Sequence, residues 1–236
     1  MPTKKKPSSN DTKNFYDLLP PQFTKKAPNP DFENHGLKIP FRGIIVAASG
    51  GGKTTLVMEI LSRMPRTFDK VVIACRSSHE PLYQYLIESS DPETLEIFEY
   101  DKDGLPLIDN YKDLNTQKLI VYDDLISLNQ KELAPVVDAF IRGRKYNCSL
   151  LFLTQSYYKC PRTIRLQANY LFLKKLSSTR DLNMILSECS LGVNKEQLHQ
   201  IYKMCTKNKF DFLLISLDDC EDTGKFRHNF LNRINI

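Results

Sequence analysis

The chain has 236 residues, 41% hydrophobic and 26% charged, with a formal net charge of +5; this is enough to bury one substantial core, but the charge excess alone does not demand a nucleic-acid partner. No apolar run nears the roughly 18 residues of a membrane span, and the Lys-rich start lacks an apolar signal core, so a membrane or secreted class is not expected. The six cysteines form no CxxC pair and no metal-type spacing with the four histidines, and are expected as reduced thiols of an intracellular protein.

Residues Met1 to about Lys38 are rich in proline and polar residues and carry Lys4-Lys5-Lys6 and Lys25-Lys26. They are expected as a disordered basic arm, with residues 39–236 forming a single domain. Arg42–Ala48 reads as the first strand and Thr54–Met64 as the helix after it, stopped by Pro65. Between them, Ser49-Gly50-Gly51-Gly52-Lys53-Thr54-Thr55 reads as a phosphate-binding loop. Backbone N–H groups converge on an anion only where side chains are absent, which suits three successive glycines. Lys53 would reach the β- and γ-phosphates, the Thr54 hydroxyl would hold Mg²⁺, and the helix would point its positive end at the nucleotide. The pattern G-x-x-x-x-G-K-[ST] has its first glycine replaced by Ala47, acceptable if φ stays negative there.

Lys70–Cys75 makes a second strand, and Pro81 starts a helix to about Glu88. Leu95–Tyr100 is a short strand, and polar Asp101–Gln117 a loop with local turns. Lys118–Asp124 is an apolar strand ending in two carboxylates. In an open parallel sheet, ligands sit beyond the carboxyl ends of the strands, so Asp123 and Asp124 share an edge with the glycine loop and read as a Walker B pair. Asp123 would hold Mg²⁺ through water, and Asp124 would polarise the attacking water. Glu132–Ile141 is helical with Pro135 in its first turn, and Arg142-Gly143-Arg144-Lys145 follows. Cys148–Thr154 is a strand whose end brings Gln155 to the same edge, near the γ-phosphate. Tyr170–Lys174 is the next strand. Ser178–Asp181 has capping-box spacing and opens a helix to about Glu188, while Asn194 caps another whose Leu198, Ile201, Tyr202 and Cys205 form a core stripe. Phe210–Leu217 and Phe226–Leu231 read as a closing hairpin, and no internal repeat is found. The fold class expected is α/β, a P-loop NTPase with a mainly parallel sheet flanked by helices and a C-terminal helical and hairpin extension.

Ala47–Thr54, Leu119–Asp124 and Arg142–Ser156 together resemble the FtsK/HerA superfamily of DNA-pumping ATPases, and within it the poxvirus-type genome-packaging ATPases of large DNA viruses, virophages and related elements. The likeness covers roughly Lys38 to Lys175. The chain departs from it at Ala47, and in pairing Asp with Asp where many relatives have Asp-Glu. The resemblance implies a RecA-like core, Mg-ATP as fuel, a homo-oligomeric ring of five or six subunits, and double-stranded DNA moved into a preformed capsid with capsid or portal-vertex proteins as partners. It also implies a place in the infected cell, in a viral factory or the cytoplasm, or in the virion. Arg142 and Arg144 precede a strand whose far end carries Gln155, away from their own nucleotide, so a role in hydrolysis has to be in trans. The family's arginine finger matches Arg144 best and Arg142 second. The competing readings are a nucleotide-kinase-like phosphotransferase, for which Arg162 and Arg165 are the only lid arginines in sight, and a nucleotide-gated scaffold. Lys174-Lys175 and Lys203, Lys207 and Lys209 are candidate DNA contacts.

Overall fold

The computed structural model describes residues 15–20, 28–219 and 224–234. Lys4-Lys5-Lys6, Lys25-Lys26 and Cys220 lie outside them. The packed part begins with a four-residue helix, α1 (Phe32–His35), followed by β1 (Arg42–Val46), α2 (Lys53–Arg63), β2 (Lys70–Cys75), α3 (Pro81–Ser89), β3 (Leu95–Glu99) and the one-turn α4 (Tyr100–Asp103). Next come β4 (Lys118–Asp123), α5 (Ala134–Arg142), β5 (Cys148–Thr154), α6 (Arg162–Gln167), β6 (Tyr170–Leu173), α7 (Thr179–Glu188) and α8 (Lys195–Cys205). The chain closes with β7 (Leu213–Ser216), β8 (Phe226–His228) and β9 (Asn232–Arg233).

The nine strands form one sheet in the order β3-β2-β4-β5-β1-β6-β7-β8-β9. From β3 to β6 all pairings are parallel, and from β6 onward they are antiparallel. The closing hairpin is therefore no appendage. It extends the sheet beside β6, and its second strand stops at His228, because Asn229 takes φ 58 and turns the chain back into β9.

Alternation along the buried strands sends neighbouring side chains to opposite faces. Ile45, Ile73, Leu119, Val121, Leu151 and Leu153 pack with Leu56, Val57 and Ile60 of α2 and Tyr83 of α3. Ile44, Val72, Ile120, Tyr122, Leu150 and Phe152 pack on the other face with α5, α6, α7 and α8. Strands this central, covered on both faces, read as continuous apolar runs; β4 and β5 are buried at every position.

The boundary of the arm moves. Asp31, His35 and Leu37, assigned to the arm by composition, are buried. Asp31 accepts hydrogen bonds from the Arg66 backbone N–H and guanidinium at 2.9 Å and from the Thr67 hydroxyl at 3.1 Å. Arg227 of β8, itself buried, donates to the carbonyl of Gly36 at 2.8 Å and to Asp219 at 3.1 Å, joining the first packed residues to the last. A few buried polar side chains with specific partners hold this segment, and average composition does not register them.

Candidate active site

The glycine loop leaves β1 at the carboxyl edge and is tied to both neighbouring strands: Ala47 N–H donates to Thr154 O at 3.1 Å and Ala48 N–H to Lys175 O at 3.2 Å. Positive φ falls on Gly50 (66°) and Gly52 (80°), not on Ala47, which is buried at the loop's base. At Gly51 a Cβ would stand 2.8 Å from the Ala48 carbonyl, so only glycine fits there. Above the loop lies a pocket of about 320 Å³ lined by Gly50, Gly51, Gly52, Lys53, Thr54 and Thr55, with Glu80 on its wall. Ser49, one residue before that lining, is exposed. With α2 starting at Lys53, the free N–H groups of its first turn add to the loop's own, which is the electrostatic form of an anion site.

Asp123 ends β4 at the same edge and is 8% exposed. Burial pushes its carboxyl above the usual range, opposed by the hydrogen bond from Tyr83 and the charge of Lys53. The Tyr83 hydroxyl donates to Asp123 Oδ2 at 2.7 Å, with Thr54 beside the same hydroxyl. Burial and the adjacent carboxylate hold that phenol far above its ordinary value, so it remains a donor. Asp124 adopts a left-handed backbone (φ 56, ψ 39), which Asp tolerates better than most side chains, and the chain then enters a 3-10 turn at Leu125–Ser127.

Gln155 follows the last residue of β5, and that strand lies between β4 and β1. The register opposite Leu153 is Asp123 and opposite Thr154 is Val46, so Asp123, Gln155 and the glycine loop do share one edge. The loop after Gln155 is pinned by Asp181. Its Oδ1 accepts from Ser156 Oγ and from Tyr158 N–H, both at 2.9 Å. This replaces the expected capping box: Ser178 caps α7 through Arg180 N–H, but Asp181, itself buried, turns away to the loop, whose donors satisfy its carboxylate. Arg165 is likewise committed, bonded to both oxygens of Glu188 (2.9 and 2.8 Å) and to the Cys160 carbonyl. It is a structural arginine, with no freedom to close over a second substrate.

Lys174 corrects a different expectation. It is 1% exposed, with Nζ donating to the Phe210 carbonyl at 2.8 Å and its Cε 3.3 Å from where a Gly52 Cβ would sit. It props the glycine loop from below and cannot contact DNA, whereas Lys175, Lys203, Lys207 and Lys209 are exposed.

Arg142 and Arg144 sit at the opposite edge, in and beside the 3-10 turn Gly143–Tyr146 that precedes β5. A seven-residue strand separates them from Gln155, a span of roughly 20 Å. Arg142 is held by Asp109 and Asp138 and lies over the Tyr146 ring. Arg144 is exposed and makes no ion pair among the described residues.

Tyr83, Glu80, Asp181 and Lys174 are the site residues that sequence reading missed. For Glu80 a signal existed. It directly precedes Pro81 in the connection that follows β2, and β2 pairs in parallel with β4, so the edge argument used for Asp123 applies to it equally.

Residues 31–225 match the model of a family described as Poxvirus A32 protein. Among solved structures, the genome packaging NTPase B204 of Sulfolobus turreted icosahedral virus 2, in complex with AMPPCP, superposes with a TM-score of 0.59 at 12% identity, covering 82% of this chain and 98% of that one. The cytoplasmic domain of the Type VII secretion ATPase EccC of Thermomonospora curvata gives 0.54 at 16% identity over 75% of this chain and 24% of that one. The pCW3 conjugation coupling protein TcpA, with ATPγS, gives 0.51 at 12% identity, covering 82% of this chain and 62% of that one. At these identities the structural likeness is one of fold. No curated protein matches the chain.

Proposed function

This chain belongs to the family described as Poxvirus A32 protein, whose model spans its residues 31–225, and from that premise we propose that it is an ATP-driven translocase that packages viral double-stranded DNA into a preformed capsid. The observation that carries the reading is the gathering on one sheet edge of the Gly50–Thr55 cradle, Asp123 and the strand end bearing Gln155. The packaging NTPase B204, of the same fold, is described in complex with AMPPCP and with ATPγS, which supports ATP as the fuel here.

Within that reading, Ser49 and Gly50–Thr55 bind the triphosphate and Lys53 neutralises its terminal oxygens. Thr54 and Asp123 fit a Mg²⁺ ion, being hard oxygen donors of the kind it accepts beside phosphates and water, and the metal would supply neutralisation of charge on the phosphates. Asp124 polarises the attacking water, and the Gln155 amide senses the γ-phosphate. Arg144 acts in trans on the neighbouring subunit of a five- or six-membered ring; its exposure and lack of an ion pair support it over Arg142, whose release would break two pairs. Double-stranded DNA and capsid or portal-vertex proteins are the partners, and the infected cell's viral factory or cytoplasm the place of action. No helix among the described residues is long and apolar enough to cross a membrane.

Steady-state ATPase measurement with and without duplex DNA, across salt, tests the proposal. Hydrolysis should rise with DNA of any sequence, and the stimulation should fall steeply as salt increases, because the contacts are to phosphates. ATPase activity indifferent to duplex DNA at low salt would favour the phosphotransferase instead.

A further inference from the structure

The pocket over the glycine loop has a carboxylate in its wall that the proposed mechanism leaves unused, that of Glu80. A carboxylate lining a triphosphate site repels the ligand and weakens its binding, so its presence there calls for a use. The surrounding structure is built to hold it. The connection from β2 to α3 is tied down where Ser78 N–H and Oγ donate to Glu99 Oε1 at 2.8 and 2.6 Å, and Gln84 Nε2 donates to the Ser78 carbonyl at 2.7 Å. Glu80 is the N-cap of α3, its Oε2 accepting from Leu82 N–H at 3.3 Å, with Pro81 fixing the next φ. Its Oε1 makes no hydrogen bond among the described residues. One turn on, Tyr83 bolts the same helix to Asp123. The start of α3 is thus fastened at both ends, and β2 and β4, being parallel neighbours, deliver Glu80 and Asp123-Asp124 to one edge.

We propose that Glu80 is a second catalytic carboxylate, which together with Asp124 orients and deprotonates the water that attacks the γ-phosphate. This rests on the ATPase reading above. The water oxygen bonds to the γ-phosphorus while the bond from phosphorus to the β,γ-bridging oxygen breaks, its electron pair remaining on ADP. The water proton passes to the carboxylates and then to solvent, leaving ADP, inorganic phosphate and one proton. Two carboxylates divide the task because Asp124 is one methylene shorter than a glutamate, and Glu80 supplies reach from the α3 side.

The test uses the full chain with saturating Mg-ATP and duplex DNA, alongside titration with a fluorescent ATP analogue. In Glu80→Gln the amide oxygen keeps the cap to Leu82 N–H, so the melting temperature should hold and nucleotide should bind as well as in the parent or more tightly. Turnover should fall by about 10²-fold or more. Because both groups act on one water, Glu80→Gln combined with Asp124→Asn should lose only a few-fold beyond the worse single variant. Glu80→Asp, which keeps cap and charge at shorter reach, should lie between Glu80→Gln and the parent. Parental turnover in Glu80→Gln, a defect cured by more Mg²⁺ or ATP, or fully multiplicative losses in the double variant would each overturn the assignment to Glu80. A parent that hydrolyses no ATP would overturn the reading on which it stands.

Discussion

Lys53 and Asp124 both belong to the phosphate edge of the sheet, yet neutralising them should produce different failures. Lys53→Ala removes the cation of the cradle, and none of the other residues lining the pocket carries positive charge to replace it, so nucleotide binding itself should be lost in a direct titration. Asp124→Asn leaves Thr54, Asp123 and the Tyr83 hydrogen bond in place. It should bind nucleotide at near-parental affinity and turn it over slowly, and parental turnover would remove Asp124 from the mechanism. Lys174 shows how easily charge misleads at this scale. Beside Lys175 it reads as half of a basic patch, but alternation at the end of β6 sends one side chain to solvent and the other under Gly52, where burial lowers its affinity for a proton.

Among the elements, α1 offers a pH test. His35 is fully buried; its Nδ1 accepts from Leu37 N–H at 2.9 Å, and its Nε2 has no partner among the described residues. Burial first, then the charges of Arg63 and Arg227, outweigh the nearby Asp31 and lower its pKa from 6.5 to about 4. Charging the ring would put a proton on Nδ1 against the Leu37 N–H. Since the unfolded chain takes up that proton more readily, stability should be complete above pH 6.5 and fall as pH drops from there towards about 4. Urea unfolding midpoints across that window should show the slope, and His35→Leu should flatten it. What sequence reading recovered here follows one rule: wherever a strand, its turn and the residue after it lie within a few positions, as at Ile44–Thr55, Lys118–Asp124 and Cys148–Gln155, the residues could be placed on one edge of the sheet. What it missed are bonds across long separations. Tyr83 meets Asp123 from 40 positions away, Ser156 meets Asp181 from 25, and Lys174 meets Phe210 from 36. Local periodicity says nothing about which buried polar groups find each other in three dimensions.

For the molecule as a whole, the cradle lies at one edge of the sheet and Arg144 at the other. Under the trans-finger proposal a lone subunit is a poor ATPase, so specific activity should climb with protein concentration. Arg144→Ala should bind ATP normally and hydrolyse it about 10³-fold more slowly. Mixing Arg144→Ala with Lys53→Ala subunits should restore hydrolysis where an intact cradle faces an intact arginine; no rescue in rings shown to co-assemble would exclude the trans role. The guanidinium of Arg227, seated on the Gly36 carbonyl 191 positions away, has a different kind of consequence. A ribosome adds about 5–20 residues per second, so the Gly36 carbonyl waits roughly 10–40 s, after emerging, for the guanidinium that bonds it. Every strand of the parallel sheet is made in that interval. The nascent chain can therefore assemble its parallel sheet, with Asp31 already held by Arg66 and Thr67, while the bond from Arg227 to Gly36 is still to be made.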